Sequence, residues 1–232
     1  MSLAQLEHAI AYQFKQQALL KQALTHRSYS VQHYERLEFL GDGILNCVAA
    51  YLLFNKFPEL SEGMLSRLRA NLVCQNSLHD IAERLNLGQH LLLGEGEVKS
   101  GGRKRPSILA DSVESLFGAV LLDGGFDQVQ QVIARLYADV IDAINPDTPG
   151  KDAKTLLQEY LQSKHLPLPD YVLTNTRGQA HEQTFHIQCS VPALTIETHG
   201  AASSRRAAEQ VAAQLAWQVI LCTPTQAGQR KT

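Results

Sequence analysis

The sequence predicts an all-α domain over residues 1–145 and an α+β domain over residues 152–221, joined by a linker at 146–151. Three observations lead there. Up to the linker, apolar residues recur at helical spacing. The segment Ala143–Asp152, AINPDTPGKD, then gathers two prolines and a glycine among mostly polar neighbours. Beyond it the order of elements reads α-β-β-β-α, an antiparallel sheet with helices on one face.

Each element has its own signal. Leu6 and Ile10 open the helical pattern. Leu37, Leu40, Ile44, Leu45 and Val48 continue it, followed by Leu65, Leu68 and Leu72 and then by Val113, Leu116, Phe117 and Val120. Few alternating β-branched runs interrupt them, hence all-α. In the second domain Thr155–Lys164 is helical, and Tyr171–Thr174, Thr184–Val191 and Leu194–Thr198 read as strands. The middle strand sets Phe185, Ile187, Cys189 and Val191 on one face and Thr184, His186, Gln188 and Ser190 on the other. A last helix runs from Ser204 to Leu221, with Ala208, Val211, Ala212, Leu215, Ala216 and Val219 apolar. Residues 222–232 read as a flexible polar tail.

Composition narrows the class. The four cysteines, Cys47, Cys74, Cys189 and Cys222, form no CxxC pair, which argues against a zinc site or disulfide framework and suits a reducing cytoplasm. No run suggests a membrane span, and Met1–Gln5 lacks the basic start of a secretion signal, so a cytoplasmic protein without membrane contact is expected. The formal net charge of −2 means that any polyanion must be met by local patches.

The sharpest chemistry lies in ERLEFLGD. On a helix Glu35, Glu38 and Asp42 fall at i, i+3 and i+7, one stripe of like charges that repel. Asp111 and Glu114 repeat the pattern at i, i+3 and are the only charges between Ile108 and Leu122. Carboxylates without His or Cys suit a hard cation such as Mg²⁺. The alternative is that the acids are solvated or pair with Arg36, Arg67 or Arg69; spacing alone does not show that the two helices meet.

The second domain carries quieter signals. Leu156, Leu157, Tyr160 and Leu161 make one face of its first helix, and Thr155, Gln158, Glu159 and Gln162 the other. That polar face suits 2′-hydroxyls and base edges in a shallow A-form minor groove, although an exposed polar face is ordinary. Arg205 and Arg206 occupy the first turn of the last helix, where the dipole disfavours cations unless an anion docks there. Two solvated arginines are the alternative. The loop Lys99–Arg105 is basic, and Arg103, Lys104 and Arg105 are candidate contacts for RNA phosphates near the acids, with a solvated basic loop as the alternative. His26 and Arg27 read as bracing residues. His79-Asp80 is too common a dipeptide to mark a phosphohydrolase.

The run HRSYSVQHYERLEFLGDGILN resembles the bacterial ribonuclease III family. The resemblance continues through FPELSEGMLSRLRANLV, LGEGEVKSGGRKRPSILADSVESLFGAVLLDGG and the whole second domain. It implies a helical endonuclease fold, a homodimer, Mg²⁺ with Mn²⁺ as a substitute, and cleavage of double-stranded RNA. Products would carry 5′-phosphate and 3′-hydroxyl ends with short 3′ overhangs, and ribosomal RNA precursors would be among the substrates. Glu38, Asp42, Asp111 and Glu114 match the family's metal-binding acids, with Asp42 and Glu114 also catalytic; Glu35 and Glu62 match accessory acids. Phe39 would pack into the partner subunit. The second domain resembles a double-stranded-RNA-binding domain with three contact regions: the polar face Thr155, Gln158, Glu159 and Gln162, the loop of His181, and the turn Ser204, Arg205 and Arg206. Tyr34 stands where the family has Asn, Gly43 where it has Ser, and Gly200-Ala201-Ala202 where Gly-x-Gly is usual. A regulatory protein that binds duplex RNA without cutting is the main alternative; a phosphohydrolase of small substrates leaves the second domain unexplained.

Overall fold

The computed structural model describes residues 3–146, 150–178 and 183–222. The chain divides into two compact units, Met1–Gly150 and Lys151–Thr232. His181, and the tail beyond Cys222, lie outside the described residues.

The described part of the first unit is helical apart from turns and an isolated bridge between Thr25 and Leu92. Its helices are α1 (Leu3–Ile10), α2 (Gln17–Ala23), α3 (Glu35–Lys56), α4 (Glu62–Leu72) and α5 (Gln75–Arg84). There follow the short α6 (Leu87–His90) and α7 (Glu95–Lys99), then α8 (Pro106–Gly124) and α9 (Phe126–Asp142). Pro106 suits the first turn of α8, where its missing N–H is not needed. Gly125, at φ +82°, ends that helix in a conformation open to glycine. The centre of the unit is the packing of α3 on α8, flanked by α2, α4, α5 and α9. Leu45, Val48 and Leu53 of α3 and Leu109, Val113, Leu116, Phe117 and Val120 of α8 are fully or almost fully buried. Each such side chain contributes roughly 1.5–3 kcal/mol of burial.

One sequence expectation is corrected here. α3 is long and apolar enough to cross a bilayer by length and composition alone. Its burial is periodic instead: one face is core and the other carries Glu35, Asp42 and the exposed Phe39.

In the second unit α10 (Ala153–Ser163) and α11 (Arg205–Cys222) pack together and cover the sheet β1 (Asp170–Arg177), β2 (Thr184–Val191) and β3 (Ile196–Ala202). The order is β1-β2-β3, antiparallel throughout. Ile187, Cys189 and Val191 of β2 face the helices, paired with Gly200, Thr198 and Ile196 of β3. Gly200 lets α11 lie close: a Cβ there would stand 2.2 Å from the Ala208 carbonyl oxygen and 2.4 Å from the Ala212 nitrogen. Two strand boundaries differ from the sequence reading. β1 runs on to Arg177, because the register shift between Leu173 and Asn175 breaks the alternation while pairing resumes at Asn175 and His186. β3 starts at Ile196, because Pro192–Leu194 forms a 3₁₀ turn and Thr195 takes φ +55°. Gly200-Ala201-Ala202 is therefore the end of a strand and not a loop.

Candidate active site

Two glycines decide where the acids sit. A Cβ on Gly41 of α3 would lie 1.7 Å from the Glu114 carbonyl oxygen of α8, and one on Gly118 would lie 2.2 Å from the Leu37 carbonyl oxygen. The two helix backbones therefore touch at a crossing that no larger residue fits. Glu38, one turn before Gly41, comes to face Asp111 and Glu114. One carboxylate oxygen from each of Glu38, Asp111 and Glu114 lies within 4.8 Å of the others, all three half-buried.

This cluster is electrostatically unfavourable by itself. Burial, then Asp111 and Glu35, push the Glu38 carboxyl up to about 7. Burial, then Asp42, Glu38 and Asp111, push Glu114 up to about 8. Asp111 is raised by burial and by Glu35. Among the described residues no cation pairs with any of the three at salt-bridge distance, and Arg36, Arg67 and Arg69 do not neutralise them. An all-oxygen donor set with unbalanced negative charge fits a hard divalent cation.

Asp42 lies beside this triad without joining it. Its charge is the first acting on Glu114, but its Oδ1 accepts a 2.8 Å hydrogen bond from Asn46 Nδ2. Glu35 stands at the rim, paired with Arg27 at 3.3 Å. Glu62 is elsewhere: it begins α4, accepts a hydrogen bond from Ser66 and lines a mostly apolar groove with Tyr51, Phe54, Leu60, Leu65 and Arg69. Phe39, next to Glu38 in sequence, is 83% exposed and so is not a core residue of its own chain.

A polar cleft of about 650 Å³ opens beside the triad, lined by His26, Arg27, Ser28, Tyr34, Glu35, Arg105 and Ser107 as well as Glu38 and Asp111. Tyr34 is buried and sets its ring edge-on to His26. His26 Nδ1 accepts from the Ser28 N–H and lies 2.8 Å from Ser28 Oγ, and that hydroxyl oxygen accepts from the Gly94 N–H. The basic loop is not a free one. Gly102–Lys104 forms a 3₁₀ turn, Arg103 donates to the carbonyls of Gly88, Gln89 and Leu91, and Arg105 pairs with Glu97 at 2.6 Å. Of the three, Lys104 is the one whose exposed side chain has no hydrogen-bond or ion-pair partner among the described residues.

The folded state retains protons on Glu38 and Glu114 that the unfolded chain releases near 4.5. Their contribution to stability is present below pH 4.5 and is lost as pH rises through about 7 to 8. Metal-free protein should therefore melt at falling temperatures from pH 5 to 8.5, and less steeply as Glu114→Gln. Identical slopes for the two proteins would contradict the cluster's electrostatics.

In the second unit the polar residues of α10, Thr155, Gln158, Glu159 and Gln162, are all exposed. Asp152 caps that helix through the Thr155 N–H. Ser204 Oγ accepts from the Ala207 N–H at the start of α11, beside the exposed Arg205 and Arg206. The sequence reading missed Lys154 and Glu209, paired at 2.7 Å. It also missed Gly41, Gly118 and Asn46; glycines inside apolar helices were the available signal.

Residues 16–162 match the Ribonuclease-III-like family, and residues 153–220 match the Double-stranded RNA binding motif. Ribonuclease 3 of Bordetella petrii is 60% identical over 93% of this chain and 86% of its own length. That of Bordetella avium is 58% identical over 95% and 88%. The nuclease domain of ribonuclease III from Campylobacter jejuni, solved with attention to a region involved in dimer formation, is 42% identical with a TM-score of 0.58. It covers 60% of this chain, which covers 97% of it. Fold, acid cluster and matched domains define an endoribonuclease that carries its own module for double-stranded RNA. The chain belongs to the ribonuclease III family.

Proposed function

We propose that the chain hydrolyses phosphodiester bonds of double-stranded RNA with Mg²⁺, or Mn²⁺ in its place, held by Glu38, Asp111 and Glu114 with Asp42 alongside. The observation that carries this is the half-buried carboxylate triad, with which no cation among the described residues pairs at salt-bridge distance. A divalent ion there supplies Lewis-acid chemistry, lowering the pKa of a water and offsetting charge on the phosphoryl group. The chain's own part is to fix the carboxylates at the helix crossing, keep the site partly dry, and present the duplex from the second domain. Products carry 5′-phosphate and 3′-hydroxyl ends with short 3′ overhangs, and the substrates, in the cytoplasm and away from membranes, include ribosomal RNA precursors and other structured transcripts. Sequencing the ends of a defined duplex cut in Mg²⁺ tests this; 5′-hydroxyl ends would refute it.

Two strands require two sites, so the working unit is a homodimer. Phe39 of one copy would enter the groove of about 610 Å³ beside Tyr51 and Phe54 of another. The exposure of Phe39, Tyr51 and Phe54 on one helix supports this partner. Phe39→Ala should shift sedimentation toward monomer, because a few buried aromatic anchors dominate such interfaces. An unshifted dimer would remove Phe39 from the interface.

A further inference from the structure

A carboxylate lies among the cations of the second domain. Glu209 of α11 meets Lys154 Nζ of α10 at 2.7 Å and Arg205 Nε at 3.5 Å, its side chain only 17% exposed. Lys154 also stacks 4.4 Å over the Tyr171 ring, and its backbone N–H donates to Gln210. An acid under two cations weakens a polyanion site if its only effect is charge. The geometry indicates a second effect. Glu209 approaches Arg205 at Nε, so the ion pair tethers an otherwise exposed guanidinium. Through Lys154 the same carboxylate ties the first turn of α10 to α11, and Thr155 and Gln158 are exposed on that helix. We infer that Glu209 is a positioning residue for duplex binding: it aims Arg205 at phosphate and holds α10 in register with α11.

This rests on the reading that Arg205 contacts phosphate, and a double-mutant cycle in the full chain separates the two. Arg205→Ala should weaken duplex binding roughly tenfold and lower the salt slope by about one. In a Glu209→Ala background the same change should cost less than about threefold, because the guanidinium is no longer aimed. Glu209→Gln, which keeps the acceptor oxygen, should retain part of that coupling and guards against a folding defect. An undiminished Arg205→Ala cost in the Glu209→Ala background, or tighter binding by Glu209→Ala itself, overturns the positioning role. No effect of Arg205→Ala in either background overturns the phosphate contact beneath it.

Discussion

Glu114→Gln should leave a folded protein that binds duplex RNA and scarcely cuts it. The substitution keeps size and polarity but removes one ligand oxygen's charge from a triad whose oxygens lie within 4.8 Å. Changing a residue that merely supports a metal ligand already costs about 10–100-fold in affinity or activity. A change to the ligand itself should lower cleavage by on the order of 100-fold or more and shift the Mg²⁺ titration to higher concentrations. Without metal the variant should melt higher than wild type near pH 8, since burial and the charges of Asp42, Glu38 and Asp111 no longer press on an ionised group there. Binding in Ca²⁺, which occupies oxygen sites, should survive. Wild-type cleavage across the titration would remove Glu114 from the metal site, and loss of binding together with cleavage would indicate misfolding.

Gly41→Ala should destabilise the first unit strongly, since among the described glycines its added methyl would meet the closest atom. Its Cβ would stand 1.7 Å from the Glu114 carbonyl oxygen, a backbone atom that no rotamer change moves away. The helices must separate, at a cost of about 3 kcal/mol or more, which lowers the melting point by roughly 6–12 °C in a domain of this size. Since the same contact brings Glu38 to Asp111 and Glu114, divalent-ion affinity should fall with it. Calorimetry paired with a Mg²⁺ titration reads both. An unchanged melting point would mean that α3 and α8 do not pack as described.

Much of the fold was legible because periodicity is local. The alternation in β2 placed Ile187, Cys189 and Val191 in the core, and the two faces of α10 separated as read. Where a boundary slipped, a non-periodic device intervened: the register shift after Leu173 and the 3₁₀ turn at Pro192–Leu194. The acids were visible as like charges on apolar helices, yet spacing along two helices says nothing of their crossing. That depends on Gly41 and Gly118, whose meaning appears only when each meets a partner's carbonyl. The tie of Asp42 to Asn46, the engagement of Arg103 and Arg105 by carbonyls and by Glu97, and the place of Glu209 between Lys154 and Arg205 are long-range or rotameric facts. Composition does not carry them.

The acidic cluster on α3 and α8 is what would separate a metal-dependent enzyme from a module that only holds duplex RNA. The most direct measurement incubates purified protein with an end-labelled RNA duplex and its separated strands, in Mg²⁺ and in excess chelator. Cleavage of the duplex in Mg²⁺, none in chelator, and little of the single strands is the predicted result. A duplex that is bound but left intact in both Mg²⁺ and Mn²⁺, or cut equally well in chelator, would contradict it.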